Sequence, residues 1–153
     1  QTWEKAAANR LAREADLDED ARTAIITETL AVLNDAQFAS LFGPGSRAEA
    51  AIVGRGPGLP DDMVVNGSVD RLVVTDTEVL VLDFKTNRPP PVNVEDVAQV
   101  YLNQMAAYRA LLQANWPDKH VRCALLWTDG PRLMELPDAI LDQALREIAT
   151  LPR

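Results

Sequence analysis

The sequence predicts an α/β fold in which a mixed central sheet is covered by helices on both faces. Three observations predict it. The segments EVLVLDF and HVRCALLW are apolar at nearly every position, as strands buried on both faces are. Helical and strand-like segments alternate in the order helix, strand, strand, strand, helix, strand, helix. Clusters of Gly, Pro and Asp separate them where turns are needed.

Residues 2 to 15 read as a short Ala-rich helix. A second helix follows in DLDEDARTAIITETLAVLNDAQFASLF, whose acidic start complements the helix dipole and whose Ala24, Ile25, Thr27, Leu30 and Leu33 recur at roughly helical spacing. The sequence GPGS at 43 to 46 ends it. Residues 47 to 55 form a candidate strand, and GPGLPDD at 56 to 62 a loop. Strands near 64 to 74 and 79 to 85 are joined by TDTE, and the Pro-rich NRPPPVN at 87 to 93 cannot continue a central strand. Residues 94 to 115 read as a long helix, 120 to 128 as a strand, and PDAILDQALREIATL as the closing helix. No internal repeat or low-complexity tract interrupts this order.

The chain has 153 residues, enough for one domain with a substantial core. Its 47% apolar and 25% charged residues exclude a disordered segment. A net charge of −8 argues against a broad basic nucleic-acid-binding face, while leaving room for a local cationic groove or a metal site. A single cysteine, Cys123, excludes an intrachain disulfide, a thiolate zinc site and an iron–sulfur cluster. No apolar run reaches membrane-spanning length and no signal peptide opens the chain. Beginning at Gln1, directly in a helical pattern, the sequence is expected to be one domain, 1 to 153, of a longer chain.

The stretch NGSVDRLVVTDTEVLVLDFKTNRP, residues 66 to 89, carries the chemistry. Either a two-residue turn on Asp76-Thr77 or a four-residue loop on 75 to 78 sets Asp70 opposite Asp83. Lys85 shares the Asp83 face because strand side chains alternate with period two. Opposed like charges destabilise a sheet, so an offsetting cation is expected. Carboxylate oxygens suit Mg²⁺ or Mn²⁺, and Lys85 would orient or deprotonate a water. An ordinary reading stands beside this one: two strand-end aspartates, one paired with Lys85.

The segments GSVDRL, VLVLDFKTN and QMAAY resemble the RecB-type branch of the PD-(D/E)XK nuclease superfamily. That branch has a restriction-endonuclease-like core of the order αβββαβ, with Asp on its second strand, D-x-K-T on the third and Q-x-x-x-Y on the next helix. DEDARTAIITETLAVLND, LFGPGSRAEAAIVG and DFKTNRPPP are more closely similar to C-terminal nuclease domains of the AddA type, from bacterial helicase–nuclease subunits of double-strand-break repair. The resemblance covers nearly the whole chain. It implies that Asp70 and Asp83 are metal ligands, that Phe84 lends its backbone carbonyl, and that Lys85 positions the attacking water. Thr86, Gln104 and Tyr108 complete the motifs; Gln104 and Tyr108, one helical turn apart, would contact the nucleic-acid backbone or brace the site. Glu49 matches a Glu on the first strand of many relatives, an auxiliary metal group.

The resemblance further implies Mg²⁺- or Mn²⁺-dependent exonuclease action on an unwound DNA single strand in the bacterial cytoplasm. The heterodimer partner would be an AddB subunit, and ATP would be used only by an upstream helicase region. The branch also carries a metal-holding His on an upstream helix. The one histidine here, His120, begins the last strand, so the equivalent helix is expected before Gln1, and residues 1 to 153 without it are expected to lose metal affinity and with it activity. Two other readings are a nuclease fold kept only to bind DNA or a subunit, and a stand-alone RecB-like nuclease. Arg47, Arg55, Arg71, Arg88 and Arg109 are candidates for a phosphate path, or plain surface charges. Trp3, Trp116 and Trp127 read as core or rim, and Cys123 as a buried small residue. GRGPG lacks the Lys-Ser/Thr of a P-loop, so no nucleotide site is expected there.

Overall fold

The computed structural model describes residues 18–150, and the expected helix at 2 to 15 lies outside them. Asp18 caps the first described helix, α1 (Glu19–Asn34), by accepting from the Ala21 N–H at 2.7 Å, one of the donors that a helix start leaves unpaired. Asp35 ends this helix and caps a 3-10 turn, Ala36–Phe42, through the Gln37 N–H. The single helix expected here is therefore two pieces. Strands β1 (Ser46–Gly54), β2 (Val65–Val74) and β3 (Glu78–Lys85) follow. After a 3-10 turn at Val94–Asp96 come α2 (Gln99–Asn115), β4 (His120–Trp127), β5 (Arg132–Leu136) and α3 (Asp138–Thr150).

The five strands lie in the order β1-β2-β3-β4-β5. All neighbours are antiparallel except β3 and β4, which α2 joins as a parallel crossover. The mixed sheet with helices on both faces is as the sequence predicts. The sequence reading lacked β5, whose RLMEL is short and alternates charge with apolar residues. It also took 94 to 98 into the long helix, whereas a 3-10 turn and an extended residue precede Gln99.

One face carries the larger core. Val79 and Val81 of β3 and Val121, Cys123, Leu125 and Trp127 of β4 pack there with Met105, Ala106 and Leu112 of α2 and Leu141 of α3. The other face is shallower, holding Leu82, Ala124 and Leu126 under Val32, Phe38 and Leu41. Ala24 and Ile25, expected to face inward, are exposed. Val32 is the only buried residue of α1, because the 3-10 turn supplies Phe38 and Leu41 in place of the helix's earlier turns. No described helix is long and apolar enough to cross a membrane.

The alternation of β2 changes phase midway. Val65 and Val69 point to the larger core, then Leu72 does, while Val73 packs on the opposite face. The shift falls at Asp70. The pairs Ala48–Arg71 and Ala50–Val69 flank it, and the residue of β1 between them, Glu49, has a left-handed φ of 49°. That conformation is uncommon for a residue with a Cβ and coincides with the kink. The β2–β3 ladder accordingly runs from Val74–Val79 to Arg71–Leu82 and ends there.

The core makes a direct prediction. Cys123 is fully buried, and burial pushes its thiol up to about 12. A disulfide reagent at pH 8 is expected to leave the native thiol unmodified and to label it as urea unfolds the chain. Rapid native labelling would contradict this packing.

Candidate functional site

The site forms where β2 leaves β3. One step beyond Arg71–Leu82, Asp70 and Asp83 make no ladder pair. Asp70 Oδ2 instead accepts the backbone N–H of Phe84 at 2.7 Å. The carboxylate so occupies a donor that a continuing ladder would have served. The expected hairpin register holds through Arg71–Leu82, but the direct opposition of the two aspartates gives way to this side-chain-to-backbone bond.

Asp83 is the only buried charged residue among those described, 6% exposed. Its Oδ2 lies 2.6 Å from Lys85 Nζ. A buried carboxylate needs such a partner, since an unpaired charge in the interior is strongly disfavoured. Lys85 Nζ also donates to Gln104 Oε1 at 3.4 Å and stands 3.8 Å from the centre of the Tyr101 ring. Gln104 Nε2 donates to the Tyr108 hydroxyl at 3.3 Å, which donates to the Ser68 carbonyl at 3.5 Å. Gly67 permits this approach: a Cβ there would stand 2.4 Å from the Tyr108 hydroxyl oxygen. A chain of contacts thus ties Lys85 through α2 back to β2.

The electrostatics show what the cluster lacks. Burial pushes the Asp70 carboxyl above its ordinary value, although the Phe84 N–H pulls it down. The charges of Asp83 and Glu49 raise it further, and Lys85 opposes them. Negative charge is gathered here beyond what one ammonium offsets. Two carboxylates, with water and phosphate completing the shell, suit Mg²⁺ or Mn²⁺, which typically take one or two protein carboxylates. Among the described residues, no three His, Cys, Asp or Glu side chains converge to hold a metal. A pair of carboxylates fits an ion that also takes water and substrate oxygens.

The remaining expected residues distribute as follows. Glu49 is exposed, accepts from Ser68 Oγ at 3.5 Å and acts on Asp70 through its charge. Thr86 is exposed just beyond β3. Arg71 stacks on Phe42 and donates to Ser46, on the face opposite Lys85. Arg88 pairs with Glu28, and Arg109 with Asp138 and Asp142. These three do not line a path to the aspartates, whereas Arg47 and Arg55 are exposed. His120 bonds Asp138 at 3.1 Å. Tyr101 was missed by the sequence reading. Its spacing from Gln104 and Tyr108, three and seven residues, puts all three on one helical face and would have found it.

The pH dependence of stability follows from Asp70. Its folded-state value lies above the ordinary 3.8, so the folded chain holds this proton more tightly than the unfolded one. Below 3.8 the group costs nothing; as pH rises through the folded-state value, stability falls and stays lower. Without divalent metal, Asp70→Asn is expected to raise the melting temperature at pH 7, and the gain to vanish below pH 3.8. Added Mg²⁺ should stabilise the parent more than the variant. A gain that persists at low pH, or a loss at pH 7, would contradict the assignment.

Comparison with known proteins bears on this geometry. The family model of the PD-(D/E)XK nuclease superfamily matches residues 1–149. Among curated proteins there is no match. The crystal structure of a candidate exonuclease from Eubacterium rectale superposes with a TM-score of 0.61 and 14% identity. The superposition covers 90% of this chain and 53% of that one, so this chain spans about half of its neighbour's length. The structure of SSO0001 gives a TM-score of 0.41 and 11% identity over 96% of this chain and 83% of its own, too distant to carry a conclusion. Nucleases of the superfamily generally use divalent metal ions. With a family model spanning nearly its full length and a mixed five-stranded sheet of the expected kind, the chain belongs to the PD-(D/E)XK nuclease superfamily.

Proposed function

We propose that this domain is a Mg²⁺- or Mn²⁺-dependent deoxyribonuclease, the exonuclease part of an AddA-type helicase–nuclease acting in double-strand-break repair. The observation that carries the reading is the convergence of Asp70, Asp83 and Lys85 at the open end of the β2–β3 hairpin. The AddA context rests on the sequence resemblance, as do its partners: an unwound DNA strand and an AddB subunit.

Asp70 and Asp83 would hold the divalent ion, helped by the Phe84 carbonyl. When bound, the ion supplies positive charge for the phosphate oxygens and acidifies water. The chain's own residues do the rest. Asp83, Gln104 and the Tyr101 ring hold the Lys85 ammonium from three sides. Two of its three donors serve Asp83 and Gln104, and a water or a phosphate oxygen would compete with the Tyr101 ring for the third. A fixed ammonium can orient the water for in-line attack without reorganising as charge develops. Asp70, braced by the Phe84 N–H, keeps its second oxygen available. Gln104 and Tyr108 position Lys85 and are not themselves expected to touch the reacting atoms.

The test is cleavage of a labelled single-stranded oligonucleotide, with Mg²⁺ or Mn²⁺, by the chain extended upstream through the expected His-bearing helix. Activity is expected, abolished by a chelator, and lowered about a hundredfold or more in Asp70→Asn. Because Asp70→Asn is also expected to fold more stably without metal, its loss of activity cannot be ascribed to unfolding. Undiminished cleavage by Asp70→Asn would contradict the proposal. Metal-independent DNA binding with no cleavage would favour a nuclease fold kept for binding.

A further inference from the structure

We propose that the cavity next to Lys85 is a nucleobase pocket, which takes the base neighbouring the cleaved phosphodiester and stacks it on Tyr101. This rests on the nuclease reading. The cavity holds about 390 Å³ and is walled by Tyr101, Trp127, Asn87, Asp96 and the three prolines 89 to 91. That volume lies in the range of small-molecule sites.

Its position is set by the sheet. Lys85 and Trp127 are register partners on the parallel strands β3 and β4, so the Trp127 wall stands one strand from the ammonium. Tyr101 joins the two places: Lys85 Nζ stands over its ring, and the same ring lines the cavity. A nucleotide whose phosphate meets Lys85 carries its base a sugar's length away, and the Tyr101 ring links the ammonium to the cavity. The wall is already in place. Arg132 donates to the carbonyl oxygens of Pro91 and Val92, holding the Pro-rich segment against β5. The Tyr101 hydroxyl donates to Asn87 Oδ1 at 3.1 Å, fixing the Asn87 side chain at the cavity.

The lining selects the chemistry. No lysine or arginine walls the cavity, and Asp96 adds a negative charge, so a phosphate is disfavoured there. A flat uncharged ring is favoured by the tyrosine and the prolines. One polar group remains to meet its edge. Asn87 engages Tyr101 through Oδ1 and keeps its amide N–H groups for an acceptor. Trp127, only 1% exposed, adds an apolar wall. Stacking accepts every base, so the pocket would impose no sequence preference.

The test compares two labelled single strands of equal length in chelator, one with bases and one built of abasic units, by fluorescence anisotropy with the full chain. The base-bearing strand is expected to bind about tenfold more tightly, the effect of stacking one base. Tyr101→Leu should remove that preference and Tyr101→Phe retain it. Asn87→Ala, at an exposed position, should reduce it without risk to the fold. Equal binding of the two strands, binding of neither, or an unchanged preference in Tyr101→Leu would overturn the pocket. Cleavage assays on the same strands separate the two readings. Cleavage at equal rates with and without bases leaves the nuclease standing and removes the pocket. A base preference in binding with no cleavage under any divalent metal leaves the pocket standing and removes the nuclease.

Discussion

The buried pair of Asp83 and Lys85 is the constraint on which the site depends. At 2.6 Å, with side chains only 9% and 11% exposed, neither charge can be left without the other. The sheet alone does not make the pair stable. It is closed by Gln104 and Tyr101 on α2, and α2 exists in this position because β3 and β4 are parallel and need a crossover between them. Topology thus delivers a helix face to the strand end where the charges are.

The second constraint is the parting of β2 from β3. An uninterrupted ladder would pair the backbones of both strands to their ends and leave Asp70 no route to Phe84. The phase change at Asp70, matched by the left-handed Glu49 on the next strand, ends the ladder one residue earlier. The Asp70 side chain then takes the Phe84 N–H, which keeps the backbone satisfied where the two strands part. A local departure from regular strand structure is what converts two ordinary strand ends into a site.

Much of this was legible in the sequence, for identifiable reasons. The runs in β3 and β4 are apolar on both faces and so announce a covered sheet. The short TDTE connection fixes the register from Val74–Val79 to Arg71–Leu82, because a tight turn leaves little freedom. The helix face carrying Gln104 and Tyr108 follows from spacing alone. Other parts had no local signal. The kink at Asp70 arises from the pairing of β2 with β1, a long-range relation that no window on GSVDRL contains. The break between α1 and its 3-10 turn is set by Asp35, a cap that looks like any other acidic residue in that stretch. Arg71, Arg88 and Arg109 resembled a phosphate path in one dimension, but each is committed to a partner away from the aspartates.

The account stands on a divalent ion that Asp70 and Asp83, on adjacent strands, would hold together. Anomalous diffraction from crystals of this chain soaked in Mn²⁺ measures that most directly. The account predicts a peak at about 2.1 Å from a carboxylate oxygen of both Asp70 and Asp83, the usual distance for a small hard divalent ion. A peak that touches neither, or Asp70 and Asp83 left without density between them at saturating Mn²⁺, would contradict it.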